Sequence, residues 1–472
     1  MSAQVRDSSI LVVLVAAALE VARAQTPSPA APARAKTFIS FADARPVLET
    51  LNERLIPAQL RTATAVEREA IWPRWVAGHD EAIRLRLERG DEDSIVNLLL
   101  FGVTFTAQPR TSIRDMLTLL VESRGEELIQ SRAIQARIED LIGGIEAPGG
   151  AGAGNDRLEF ARHVFNRRGL DARSASGRVA LRRYLEEGIR RVFEEYEEYF
   201  RANARSAPYS GRGLSSDTSL LPNFALDEAL REILGRGLLE AGRVRRVAII
   251  GPGLDFADKR EGYDFYPQQT LQPFAAIDSL TRLGLAARDG LRVTTLDLSP
   301  RINQHLAAAR ARARRGVAYG LVLPRDLDMP WHADLVAYWK RFGDRIGNQM
   351  PAVAPPPSAG RVEVRAVGVR PSVALSIVPE DVNVVLERLD PLPLGERFDL
   401  IVATNIFLYY DAFEQALALV NVARMLRPGG LLVTNDPIVL LPATPITAVG
   451  STRLQYTALP NSSDELVWYQ RQ

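Results

Sequence analysis

The chain has 472 residues, 46% of them hydrophobic and 24% charged, which predicts a folded globular protein of two or three domains. Lysine plus arginine (58) nearly cancels aspartate plus glutamate (57); the net charge of +1 lacks the basic excess of a nucleic-acid binder, and no nucleic-acid partner is expected. With no cysteine, disulfides and thiolate chemistry are excluded, and with four histidines (His79, His163, His305, His332) at no metal-ligand spacing, neither zinc hydrolysis nor a metal is expected.

At the N-terminus Arg6 precedes an apolar stretch from Ile10 to Leu19, and Ala22-Arg23-Ala24 has the small-x-small form of an export-signal cleavage site. Residues 1–24 are expected to be a signal peptide, which would place the chain outside the cytoplasm. Asp7 beside Arg6, and Glu20 close to the apolar run, keep a misread start or a frayed Ala-rich helix open. The stretch is shorter than the about 20 residues that span a bilayer, and no later one qualifies, so no stable membrane span is expected. Residues 25–36, rich in proline and alanine, predict a disordered linker.

From 37 to about 240 the pattern is helical. Ala65 to Arg89 and Arg114 to Ile142 carry apolar residues at three- and four-residue spacings, and Pro73 is expected to kink or divide the first. A glycine-rich stretch near 143–155 (GGIEAPGGAGAG from Gly143) predicts a flexible linker. A second block, Arg157 to Ala204, places Leu185, Ile189, Val192 and Phe193 on one face, as expected of a core-facing stripe. A boundary is expected between Gly211 and Gly242, with an α/β domain over 241–472.

That domain opens with Arg246 to Ile250, a short apolar run of the buried parallel-strand type, which empties into Gly251-Pro252-Gly253-Leu254-Asp255. Glycines there let the backbone turn sharply and approach a ligand, though the same turn serves a tight bend without one. A second strand, Leu291 to Leu296, ends in Asp297, and Ser299-Pro300 then opens a helix. An acidic strand end can hold both hydroxyls of a ribose; it can also simply interact with the helix start. A third run, Phe398 to Ala403, leads through Thr404-Asn405 to a helix beginning at Asp411, and Arg427-Pro428-Gly429-Gly430 ends that helix before a strand from Leu431 to Thr434. Alternation of strand and helix predicts a doubly wound, mostly parallel sheet with ligands at its carboxyl edge. Thr452 to Ala458 and Glu465 to Tyr469 predict a closing antiparallel hairpin.

In this order the pieces resemble the class I S-adenosylmethionine-dependent methyltransferases, over roughly Val244 to Gln472. The most specific part is FDLIVATNIFLYYDAFEQALALVNVARMLRPGGLLVTND, from Phe398 to Asp436; VAIIGPGLDF from Val247 is similar to the family's glycine motif, and VTTLDLSP from Val293 to its second strand end. The resemblance implies an α/β fold with a C-terminal antiparallel hairpin, here after an all-α N-terminal region, and S-adenosyl-L-methionine as cofactor. It implies cofactor contacts at Gly251, Gly253, Asp255, Asp297 and Asn405, and substrate-facing positions at Tyr409 and Tyr410. Asp381, Glu387 and Asp390 compete for the adenine contact, and no catalytic residue is assigned. The chain departs from the family at Asp255, where a third glycine is usual, and in two insertions, Ala257 to Gln269 and Tyr319 to Gly360, either of which could cap the site or cover a sheet edge.

The implied function is methyl transfer to a small-molecule or protein acceptor. Two other readings stay open: a noncatalytic exported binding or scaffold protein that keeps the fold, and a nucleotide-dependent oxidoreductase. Phe256 stands against the last, occupying the place of the dinucleotide fingerprint's final glycine. Export conflicts with a cofactor made in the cytoplasm, so the compartment stays undecided, and the sequence sets no oligomeric state.

Overall fold

Val247 and Ile249 point to one side of a β-sheet, Ala248 and Ile250 to the other, and all four are buried. Successive side chains of a strand face opposite ways, so a run apolar at every position requires a covering layer on both faces. The computed structural model describes residues 35–472 except 113–115, 117, 120–121, 123, 147–154, 202–211, 258–261, 288–289, 436, 439, 442–443 and 459–461. The expected signal peptide, most of the linker at 25–36, the middle of the glycine-rich stretch and the tip of the closing hairpin lie outside the described residues.

Among the described residues the strands are β1 (Lys36–Phe38), β2 (Arg246–Ile250), β3 (Arg292–Asp297), β4 (Tyr319–Asp326), β5 (Gly347–Met350), β6 (Val362–Val369), β7 (Ile377–Asp381), β8 (Glu387–Leu389), β9 (Phe398–Ala403), β10 (Leu426–Asn435), β11 (Ile446–Gln455) and β12 (Ser463–Arg471). Seven form one sheet in the order β11-β12-β10-β9-β2-β3-β7. The five from β10 to β7 run parallel, and β12 and β11 are antiparallel to their neighbours. The closing strands are longer than their apolar patterns suggested, pairing from Ile446↔Arg471 to Gln455↔Ser463.

One face of the sheet, carrying Val247, Ile249, Val293, Leu400 and Val402, packs against helices Leu221–Gly235, Gln272–Arg282 and Pro300–Arg314. Leu335, Trp339 and Phe342 of the second insertion join that same core. The insertion's strands β4 and β5 pair with β6, beyond its expected end at Gly360, in a small antiparallel sheet with helix Ala333–Arg341 alongside. The opposite face, carrying Ala248, Ile250, Leu296 and Ile401, packs against helices Phe41–Thr50 and Ala412–Met425 and the first part of Ala65–Phe101. The N-terminal helices thus supply part of one covering layer, and their distal parts form a further core around Leu99, Ile138, Phe165 and Ile189.

Three local expectations differ from the structure. Pro73 does not divide helix Ala65–Phe101, where Trp72 and Val76 are buried against the sheet layer on either side of it. Packing of this kind outweighs the one backbone hydrogen bond a proline removes. Gly143 and Gly144 belong to helix Arg132–Glu146, where buried Ile142 and Ile145 hold the last turn against its neighbours. The region read as all-helical also contains a strand: β1 pairs antiparallel with β8, satisfying its edge. No helix among the described residues is long and apolar enough to cross a membrane.

Candidate functional site

In an open parallel sheet, connections leave the carboxyl edge in opposite directions on either side of a switch point, and a crevice opens there. Here β2 lies between β3 and β9, and a cleft of about 1190 Å³ opens at their carboxyl ends. Its near wall includes Gly251, Gly253, Asp297, Asn405, Tyr409 and Tyr410. The far wall comes from helix Ala65–Phe101 and from residues 212–219, through Leu87, Asp93, Asn97, Ser215 and Asp217.

Gly251 (φ 62°) and Gly253 (φ 65°) both occupy the left-handed region that side chains disfavour. The space that their missing side chains leave is filled largely by the chain itself. A Cβ at Gly251 would lie 2.1 Å from Ile406 Cδ1, and one at Gly253 would lie 2.9 Å from Thr218 Cβ and 3.0 Å from the Ser216 carbonyl oxygen. The 216–218 segment runs beside the turn like an added strand, with Leu254 N–H donating to Ser216 O (2.7 Å) and Thr218 N–H to Leu254 O (3.0 Å).

Asp255 is not brought to the cleft with the other expected contacts. Its buried Oδ2 accepts hydrogen bonds from Tyr266 Oη (2.7 Å) and Gln269 Nε2 (2.9 Å), both in the first insertion. Arg157, itself fully buried, donates to the carbonyls of Asp255 (3.0 Å), Phe256 (2.9 Å) and Tyr263 (3.2 Å), and pins the loop from the helical side. The first insertion is therefore anchored beside the glycine turn, and none of residues 319–360, the second, lines the cleft.

Asp297 ends β3 on the cleft wall at 8% exposure. Its Oδ1 accepts the Ser299 N–H (2.7 Å), and its carbonyl accepts from Asn303 Nδ2 (2.9 Å), so the carboxylate supports the helix start while its other oxygen has no hydrogen-bond partner among the described residues. Burial pushes its carboxyl up to about 7; the Ser299 N–H and the Arg301 charge oppose that rise, and Asp381 adds to it.

Asn405 follows β9 at φ 58°, a conformation that asparagine tolerates better than most side chains. Its amide N–H donates to Asn435 Oδ1 (2.5 Å), and the Asn435 side chain donates back to Asn405 Oδ1. Gln272 Nε2 donates to Thr404 Oγ1 (2.5 Å) just before it. Beyond it, Asp411 caps helix Ala412–Met425 in a capping box with Glu414, and Glu414 Oε1 lies 3.0 Å from His79 Nε2 on the N-terminal helix. Arg86 of that helix donates to the Tyr409 carbonyl and stands 5.8 Å over the Tyr410 ring. Tyr410 is buried, which drives its hydroxyl well above the ordinary range, with Glu414 adding to the effect.

Of the three carboxylates that compete for an adenine, none lines the cleft; Val382 and Val384 do. Asp381 pairs with Arg84 (2.9 Å), Glu387 with Lys36 (3.2 Å) and Asp390 with Arg388 (3.3 Å). Cleft residues that sequence patterns passed over include Asn435, Gln272, Asn97 and Asp217. Asn435 stood at a recognisable strand end, whereas Asp217 lay in the stretch read only as a domain boundary. Asp217 accepts from Ser94 Oγ (2.9 Å) and Asn97 Nδ2 (3.2 Å), which tie the 212–219 segment to the long helix.

No family model and no curated protein matches the chain. Solved structures similar to it include the N-methyltransferase NodS from Bradyrhizobium japonicum WM9, at 16% identity over 52% of this chain and 96% of that one, with a TM-score of 0.24. The glycopeptide N-methyltransferase MtfA, complexed with S-adenosyl-L-methionine, is 12% identical over 53% of this chain and 94% of its own, with a TM-score of 0.25. MtNAS in complex with MTA and tNA is 11% identical over 76% of this chain and 97% of its own, also at 0.25. At such TM-scores none of these likenesses carries weight on what this chain binds.

Proposed function

We propose that the cleft binds S-adenosylmethionine and that the chain transfers its methyl group to a small-molecule or protein acceptor. The observation that carries this reading is the gathering of the glycine turn, Asp297 and Asn405 around one cleft, at the switch point of a sheet whose last strands reverse. Room supports it too: about 1190 Å³ exceeds the 300–1,000 Å³ of typical pockets for one drug-sized ligand.

In this reading Asp297 Oδ2 accepts from the ribose hydroxyls, Val382 and Val384 offer an apolar rest for the base, and the turn at Gly251 and Gly253 carries the amino-acid end. Asn405 stands at the mouth, and Tyr409 and Tyr410 bound the acceptor side. When bound, the cofactor supplies an electrophilic methyl on a sulfonium. What the protein contributes is alignment and exclusion of water, so no triad is needed. A proton acceptor is required only where the nucleophile must lose a proton.

An aspartate turned into the cleft in place of the motif's third glycine would favour the noncatalytic alternative. The Asp255 side chain instead turns away from the cleft toward Tyr266 and Gln269, which removes this ground for it. The test is calorimetric titration of the full chain with S-adenosylmethionine and S-adenosylhomocysteine, with NAD as control. Saturable binding of both sulfur nucleosides is expected; a folded sample that binds neither would sink the reading, and selective binding of NAD would revive the oxidoreductase.

A further inference from the structure

Arg301 lies in the first turn of helix Pro300–Arg314, between Leu298 and Ile302 of the cleft lining. All three of its guanidinium nitrogens are buried and make no hydrogen bond among the described residues. The group lies 4.2 Å over the ring of Phe160 and 5.3 Å from the centre of the Phe256 ring. Burying a charged donor without partners is costly, and a methionine would pack between two phenyl rings as well. Arg301 therefore contributes its charge to this position.

The groups that act on that charge come from four directions. Burial opposes it most; Asp91 on the long helix, Asp217 on the 212–219 segment and Asp297 at the end of β3 favour it, and Arg157 opposes it. Asp91 is itself paired with Arg167 (3.3 Å). Asp217 and Asp297 both line the cleft. Asp297 is faced by Arg301, by Asp381 from the neighbouring strand β7 and by Tyr410 from the loop after β9.

We propose that Arg301 is a positioning residue, a buried counter-charge that keeps Asp297 a carboxylate while leaving its Oδ2 for the ligand. An ordinary salt bridge would occupy that oxygen; a cation held on aromatic faces supplies the field without a hydrogen bond. The proposal rests on Asp297 as the residue that meets the ligand's hydroxyl pair.

Removing the Arg301 charge moves Asp297 ionisation to higher pH, because a favourable cation is lost. Removing the Asp381 carboxylate moves it to lower pH, because a repelling anion is lost. The experiment titrates the full chain with S-adenosylhomocysteine from pH 5.5 to 9 and follows the midpoint of the affinity profile. Wild type is expected to weaken as pH falls through about 7. Arg301→Met is expected to shift the midpoint upward, with about fivefold weaker binding at pH 7 for a shift of about one unit. Arg301→Lys should stay close to wild type, and Asp381→Asn should shift the other way.

Coincident midpoints for wild type and Arg301→Met, or equal displacement by Lys and Met, would overturn the proposal. Should Arg301→Met fail to fold, the neutral Arg301→Gln decides, and an unmoved or downward midpoint rejects it. A wild-type profile flat across this range also overturns it. Wild type that binds at no pH overturns the cofactor reading and this proposal together, a result distinct from binding with an unmoved midpoint.

Discussion

Asn405 and Asn435 join the carboxyl ends of two neighbouring parallel strands by reciprocal hydrogen bonds, backbone to side chain one way and side chain to side chain the other. The pair holds Asn405 in a left-handed conformation at the cleft mouth. Asn435→Ala removes both bonds and frees the following loop, which carries Tyr409 and Tyr410. Stability is expected to fall by about 1–2 kcal/mol in a thermal melt, and affinity for S-adenosylhomocysteine to weaken. An unchanged melt together with unchanged affinity would show that the loop is held by the Arg86 and Glu414 contacts instead.

Alanine at the two glycines of the turn separates strain from contact. At Gly251 the added methyl meets the far end of Ile406, a side chain able to move aside. At Gly253 it meets the Ser216 carbonyl and Thr218 Cβ, part of a segment paired to the turn on both sides of Leu254. Both pay the positive-φ penalty of about 1 kcal/mol. Gly253→Ala is expected to lose roughly 1–3 kcal/mol more than Gly251→Ala, measured by chemical denaturation. Equal losses would mean that the 216–218 segment lifts off the turn easily.

The elements around the site were legible where the signal is contiguous. A five-residue apolar run, a glycine pair or a Pro-Gly-Gly break is read within one window, and the strands at Val247, Val293 and Phe398 lie where such runs stand. The far wall was not legible, because it is made by contacts distant in sequence: Gly90 packs so closely on Leu214 that a Cβ there would lie 1.9 Å from its carbonyl oxygen. Neither residue announces that pairing in its own neighbourhood. Asp255 misleads for the same reason. Its place in the motif is local information, while its direction is set by Tyr266, Gln269 and the loop that Arg157 pins.

Asp255→Ala follows from that direction. It removes a buried acceptor from Tyr266 and Gln269 and leaves a phenol and an amide with fewer partners. A loss of roughly 2–4 kcal/mol is expected, with affinity for S-adenosylhomocysteine within about twofold of wild type. Weakened binding without lost stability would return Asp255 to the ligand contacts.

Asp297→Asn is expected to stabilise the ligand-free protein while weakening its ligand. The carboxyl titrates near 7 in the folded chain against an ordinary value of 3.8. Between those values the folded state holds a proton that the unfolded state has released, so stability falls as pH rises from about 4 to 7 and is constant above. Asparagine carries no such penalty. The variant should therefore match wild type near pH 3.5 and exceed it at pH 8, by up to about 4 kcal/mol at 1.4 kcal/mol per unit. Its affinity for S-adenosylhomocysteine should fall about tenfold or more, because a neutral amide accepts hydroxyl hydrogen bonds less strongly than a carboxylate. Melts at pH 4 and pH 8, beside titrations at pH 8, separate the two effects. Equal melts at pH 8 would mean that the ionised carboxylate is paid for elsewhere in the fold; unchanged affinity would remove Asp297 from the ligand site. A residue that costs stability when the cleft is empty and strengthens binding when it is filled is held there by the ligand, and only the joint measurement distinguishes that from a helix support.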